Sequence, residues 1–171
     1  VPDLPESAND IQGVKDILDV SIDPTDPSHV VFSSYEEGLV ELRDGEVVRV
    51  LNAENSSLQT SLVGGSPRSA VGGIDFDGDG NLWFTNPWVS SALHVMLPDG
   101  STVAMDLGDE GQNLLFSDVE VTRDGYVWAV LPRGDGVLVY DPSGTPSEPS
   151  DDRWTILTSQ TGSGGLPSND V

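Results

Sequence analysis

Short runs of apolar residues, alternating or continuous, are parted along this chain by Asp-Gly, Pro-Asp-Gly and Pro-Ser-Gly. That pattern predicts β-strands joined by tight turns. Gly reaches positive φ without a steric penalty, and Asp bonds back to its own backbone, so such pairs mark turns for a physical reason. No segment sustains the i, i+3, i+4, i+7 spacing of an amphipathic helix; LPESANDIQGVKDILDV comes nearest and falls short.

The strand runs recur as units. Ile74 in IDFDGDGNLWF and Val119 in VEVTRDGYVWA lie 45 residues apart, as do Trp83 and Trp128, and the turns Asp79-Gly80 and Asp124-Gly125. The apolar runs that begin at Leu93 and Leu138 keep the same offset. An earlier copy passes through Val20, Val30, Gly38 and the Asp44-Gly45 turn, with a longer first turn, DPTDPSH. Asp19-Val20, Asp118-Val119 and Asp170-Val171 open successive units, and the Pro/Ser-rich stretch 141–152 reads as a loop.

Four strands repeated at this period are the signature of a β-propeller blade. The expected fold class is all-β: a partial β-propeller of about three four-stranded blades plus the start of a fourth. The expected order is a lead-in at 1–14, a blade at 15–51, a connecting loop at 52–69, blades at 70–107 and 116–158, and the start of the next at 165–171. Trp83 and Trp128, at one place in consecutive units, are expected to pack between blades. Trp154 and Trp88 leave the period, and Trp88, in the loop NPWVSS, is the better candidate for contacting a partner. Propellers close with about four to eight blades. The open blade faces are therefore expected to be covered by remaining blades of a longer protein or by a second copy.

Charge narrows the partners. The chain has 29 acidic and 7 basic residues, a net charge of −22, and Lys15 is its one lysine. Such a surface repels nucleic acid and anionic membrane alike. No run approaches the roughly 18 apolar residues of a membrane span, so no direct membrane insertion is expected. The acidity reads as a solvated surface suited to high salt, which screens self-repulsion; a face for cations or polycations is the other reading. With no cysteine there is neither a disulfide nor a zinc–thiolate site. The start, VPDLPESAND, has neither a basic region nor an apolar core, so no signal peptide is visible; either it was removed or this is a piece of something longer.

Asp75, Asp77 and Asp79, followed by Gly80, look like the front of a calcium loop. The copy replaces Asp75 by Glu120 and Asp77 by Thr122, and the twelfth position, where an EF-hand places a bidentate Glu, is Asn86. What recurs is the hairpin turn. A turn is the main reading, and a weak calcium site in this one unit stays open. The two histidines, His29 in the DPTDPSH turn and His94 on a strand facing away from Leu93 and Val95, are read as structural or solvent-facing. No nucleophile elbow, HExxH, P-loop or dinucleotide fingerprint is present, and abundant carboxylates are no evidence for a glycosidase pair. No catalytic, cofactor-binding or metal residue is assigned, and no cofactor is expected.

The ending TSQTGSGGLPSNDV resembles the opening of a two-component-regulator propeller repeat, whose blades begin GLPSNDV and continue to a DG-x-LW strand. The pairing of HVVFSSYEEGLVELRDGEVVRVLNAENSSLQ with VGGIDFDGDGNLWFTNPWVSSALHVMLPDGS resembles PorZ-like proteins, surface components of the Bacteroidetes type IX secretion system. That resemblance covers nearly the whole chain. It implies a non-enzymatic propeller in the cell envelope, at the outer surface or in the periplasm. Such a module assists cargo sorting and anchoring beside other secretion-system or surface proteins and lipopolysaccharide or another glycan. The same repeats also form the extracellular sensor of hybrid two-component histidine kinases. DGNLWFTN further resembles streptogramin-lyase propellers, whose catalytic histidines act with a divalent metal; His29 and His94 do not sit in matching motifs.

Overall fold

The computed structural model describes residues 14–171, so the lead-in expected at 1–14 lies outside the described residues except for its last position. The described chain is almost entirely β. The first sheet is the antiparallel meander β1 (Ile17–Ile22), β2 (His29–Ser34), β3 (Gly38–Arg43) and β4 (Glu46–Leu51). Of the weak helical pattern at 4–20, residues 4–13 lie outside the described residues and 17–20 are strand. A small hairpin follows, β5 (Ser61–Val63) and β6 (Ser66–Arg68). The second large sheet is β7 (Ile74–Phe76), β8 (Leu82–Thr85), β9 (Leu93–Met96) and β10 (Thr102–Ala104). The third is β11 (Asp118–Val121), β12 (Val127–Leu131), β13 (Gly136–Asp141) and β14 (Arg153–Leu157).

Each large sheet keeps its strands in chain order, so its first strand lies at one edge. Those first strands converge: β1 packs beside β7, and β7 beside β11. This is a partial β-propeller whose ring is not closed among the described residues. The repeat is visible in the register. Asp75 pairs with Trp83 across β7 and β8, and Glu120 pairs with Trp128 across β11 and β12. Gly38 and Gly136, which open the third strands of the first and third sheets, have φ of 100° and 94°. A Cβ on either would stand 2.0 or 2.1 Å from the carbonyl oxygen of Leu51 or Leu157, so no other residue fits.

Two apolar layers hold the sheets together. Val31, Leu39 and Leu51 of the first sheet meet Phe76, Leu82, Phe84 and Met96 of the second. Trp83 and Val95, on the other face of the second sheet, meet Val127, Ala129, Leu138 and Tyr140 of the third. The middle sheet is covered on both faces, and β8 and β9 are buried at every position. The outward faces of the first and third sheets are different. Leu18, Val20 and Ile22 on β1, and Tyr126 and Trp128 beside and on β12, are exposed. Trp83 and Trp128 are thus equivalent in register and opposite in burial, at 1% and 39% exposure. The expectation of packing between blades holds for Trp83. For Trp128 no described sheet lies on the corresponding face.

The connection expected as a loop at 52–69 carries the β5–β6 hairpin, closed by Gly64-Gly65, both at positive φ as a type I′ hairpin turn requires. Side-chain bonds pin this connection to the middle blade. Ser57 N–H donates to Thr102 Oγ1 at 2.7 Å, and Gln59 N–H to Asn86 Oδ1 at 2.7 Å. Asn86 Nδ2 in turn donates to the Ala70 carbonyl at 2.8 Å.

Candidate functional site

The acidic turn at 75–79 builds a hairpin. Asp77 Oδ1 accepts the N–H groups of Asp79 and Asn81 at 3.0 and 2.9 Å, and its Oδ2 accepts Asn81 Nδ2 at 2.8 Å. In the next blade the hydroxyl of Thr122 takes the same role, accepting Tyr126 N–H at 3.0 Å, so one turn is built with two side chains. Asp75 points elsewhere: its Oδ2 accepts Val121 N–H on the neighbouring blade at 2.8 Å. The carboxylates of Asp75 and Asp77 therefore do not converge. Among the described residues no group of three His, Cys, Asp or Glu is placed to hold a metal ion.

The bond from Asp75 is one of a pair. Asp19 Oδ2 accepts Ile74 N–H at 3.0 Å, joining the first blade to the second as Asp75 joins the second to the third. Asp19 and Asp118 each also accept the N–H of the following residue, Val20 or Val119, at 2.8 and 3.0 Å. Gly73 stands at the corresponding place in the middle blade. A Cβ there would lie 2.6 Å from Asp118 Cα, so the close approach of β7 to β11 demands glycine. Glycine also leaves Ile74 N–H free for Asp19. Asp19, Asp75, Asp118 and Glu120 form the acidic inner rim. Burial, then the charges of Asp19 and Asp118, raises the Asp75 carboxyl above its ordinary range; burial, then Asp75, Asp118 and Asp19, does the same for Glu120.

Asp75→Asn keeps an acceptor for Val121 N–H while removing charge from that rim. It is expected to stabilise the fold by up to about 1 kcal/mol at low salt, the gain shrinking as salt is added. Asp75→Ala leaves the amide without its partner and is expected to cost about 1–2 kcal/mol. Urea denaturation of the two variants at low and high salt checks both signs.

Both histidines are buried and held, so neither is solvent-facing. His29 opens β2 rather than lying out in its turn. Its Nδ1 is 3.0 Å from Asp23 Oδ2, and its Nε2 is 3.0 Å from Glu41 Oε1, close enough for an ion pair but without hydrogen-bond alignment. Glu41, also buried, meets Arg49 Nε, and Arg49 reaches the second blade at the Gly100 carbonyl, 3.2 Å away. This ionic cluster straps the first two blades together. His94 is fully buried with its ring stacked on Phe84, centroids 5.1 Å apart. Its Nε2–H donates to the Ser91 carbonyl at 2.7 Å and its Nδ1 accepts the Ser57 hydroxyl at 2.9 Å. Burial, against the pull of the Ser91 bond, lowers its pKa to about 4.

On the side of the blades that carries the 34–38 and 86–92 loops, aromatic and charged groups gather. Trp88 has φ of 58°, a backbone conformation that bulky residues rarely adopt. Its ring stands edge-on to Tyr35, centroids 6.4 Å apart, and the Arg68 guanidinium lies over the Tyr35 ring at 5.8 Å. Arg68 also pairs with Glu36. Beside it is a cavity of about 240 Å³ lined by Glu36, Glu37, Asn52, Glu54, Arg68 and Ser69. The sequence singles out Trp88 but neither Tyr35, which the turn between β2 and β3 brings to it, nor Arg68, which the β5–β6 hairpin lays over Tyr35. The arrangement offers aromatic, cationic and carboxylate contacts to a ligand surface, a chemistry of recognition.

Fold and surface define a propeller-like protein. It is similar to PorZ of Porphyromonas gingivalis, an essential bacterial surface component of the type-IX secretion system: 23% identity over 83% of this chain, TM-score 0.68. It is also similar to a catalytically inactive virginiamycin B lyase from Staphylococcus aureus in complex with quinupristin, at 15% identity over 90% of this chain, TM-score 0.59. A third likeness is to the extracellular domain of a hybrid two-component system from B. thetaiotaomicron, at 19% identity over 81% of this chain, TM-score 0.51. The chain spans 20% of the PorZ chain, 44% of the lyase and 17% of the sensor domain. At these identities the shared property is the fold. No family model matches the chain, and no curated protein matches it in sequence. No helix among the described residues is long and apolar enough to cross a membrane.

Proposed function

We propose that this chain is a non-enzymatic β-propeller module of a PorZ-like cell-surface protein, extracytoplasmic, acting as a scaffold in the sorting and anchoring of secreted cargo. The observation that carries the reading is the likeness to PorZ across 83% of the chain. The surface chemistry agrees with it: the Tyr35, Arg68 and Trp88 cluster suits a protein or glycan partner. The lyase reading is disfavoured by the histidines, since His29 and His94 are both spent on buried structural contacts. Ligand sensing is the alternative, supported by the likeness to the extracellular two-component domain.

Deleting the segment 15–158 in the source bacterium separates these readings. The expected result is loss of surface-anchored cargo and its accumulation inside the envelope. Intact cargo anchoring with a lost transcriptional response to an extracellular glycan would move the assignment to the sensor. Cleavage of quinupristin by the purified chain, read by mass spectrometry, would move it to the lyase.

A further inference from the structure

We propose that His94 is an acid-sensitive latch on the Tyr35, Arg68 and Trp88 surface, holding together two loops that build it and letting them part when its ring takes up a proton. The inference rests on that cluster being the recognition surface and adds a means of releasing it. Arg68 comes from the connection between the first two blades, and Trp88 from the 86–92 loop between β8 and β9. His94, on β9, spends one ring nitrogen on each. Its Nδ1 accepts the hydroxyl of Ser57 in the connection, and its Nε2–H donates to the carbonyl of Ser91 in the loop. Gln59 adds a second tie beside it. Its N–H donates to Asn86 Oδ1 at 2.7 Å, and its Oε1 accepts the N–H groups of Ser90 and Ser91 at 3.1 and 3.4 Å.

A neutral ring suits this place, because one nitrogen donates, the other accepts, and neither is left over. A protonated ring does not. Among the described residues no carboxylate or cation acts on His94 from β8, β10, the first blade, the connection or the 86–92 loop. The groups against it are the Phe84 ring, the Ser57 hydroxyl and the Ser91 carbonyl, so a charge there has no counter-ion and no water. Relief comes when water reaches the ring, and the connection is the cover that yields most readily. Between 52 and 60 only Leu58 is buried, and side-chain bonds rather than a strand ladder hold the segment to the middle blade. When Ser57 lifts, Gln59 leaves with it, and the Trp88 loop and the Arg68 hairpin lose the ties between them.

Hydrogen exchange resolved amide by amide on the full chain, at pH 7 and pH 5 and corrected for intrinsic rates, tests the latch. The Ser57 and Gln59 N–H groups should exchange faster than those of strands β8 and β9, as an opening smaller than whole-chain unfolding requires. Their opening should become about 20-fold more frequent at pH 5, the factor set by a ring of pKa about 4 when held and 6.5 when released. His94→Asn should abolish that dependence. Ser57→Ala should raise the opening about 5-fold at both pH values and keep the dependence. The factor should be the same in about 0.1 M and about 1 M salt, since no other charge acts on the ring. Exchange of the segment in step with β8 and β9 at both pH values would assign the effect to whole-chain unfolding and overturn the proposal. So would a dependence that persists in His94→Asn, or one that fades at high salt and therefore belongs to the surface carboxylates. A failed latch would leave the scaffold reading standing, since that rests on the cargo assay.

Discussion

Between pH 7 and pH 5 the protein is expected to lose about 2 kcal/mol of folding stability through one residue, His94. Its folded pKa of about 4 lies below the ordinary value of 6.5 because the ring is buried against Phe84 with both nitrogens occupied. The unfolded chain therefore takes up a proton as pH falls through 6.5, while the folded chain does not until near 4. The stability is fully present above 6.5 and drains away across that window. Protonation at Nδ1 would also turn the Ser57 hydroxyl away from its present role as donor. Ser57 lies in the connection that the middle blade holds through Thr102, so the strain falls on the 52–69 segment first. Asp75, Glu120 and Asp152, whose carboxyls burial raises, titrate in the opposite sense and gain stability as pH falls. A variant is therefore needed to isolate His94. His94→Asn should cost about 2 kcal/mol at pH 7 from lost stacking and volume, and should flatten the slope between pH 6.5 and 4. Urea midpoints at pH 7 and pH 5 for the two proteins read it directly; an unchanged slope in the variant would show that other groups carry the dependence.

The fold was legible to the extent that it is local and periodic. Strand alternation, Asp-Gly turns and a fixed offset between copies placed Trp83 and Trp128 opposite Asp75 and Glu120 in equivalent registers. The sequence favours a turn at 75–79 over a calcium loop, while leaving a weak site open, because Thr122 replaces Asp77 in the copy and a hydroxyl can cap a turn but cannot supply a carboxylate. What depends on one blade meeting another was not legible. The bonds of Asp19 to Ile74 and of Asp75 to Val121 join residues that only the stacking of sheets brings together. The burial of His29 and Glu41 arises the same way, since Arg49 neutralises Glu41 while reaching across to Gly100. The β5–β6 hairpin did leave a signal, Gly64-Gly65, but the flanking Ser and Pro broke the apolar alternation that would have marked its strands.

Trp83→Ala is expected to cost about 3–5 kcal/mol, whereas Trp128→Ala, the same substitution at the same place in the next repeat, should change the stability of the monomer by no more than about 1 kcal/mol. The indole of Trp83 fills the layer between the middle and third blades, with its ring 5.8 Å from that of Tyr140. Its Nε1–H reaches Asp77 Oδ2 at 3.4 Å, an acceptor that Thr122 has no second oxygen to match for Trp128. Removing it opens a cavity bounded by two sheets that cannot close without moving the blades. Tyr140 would lose a packing partner while its hydroxyl stays bonded to Asp152 and Met105 Sδ, so the ring is not free to follow. Trp128 meets solvent over much of its surface, and its removal leaves nothing enclosed. Urea denaturation of both variants, at protein concentrations low enough to keep the chain monomeric, separates the two cases. Equal losses at the two sites would mean that Trp128 is already covered within one chain. A repeat in sequence fixes where a side chain lies in its own sheet; what that side chain contributes is set by whether another sheet stands against it.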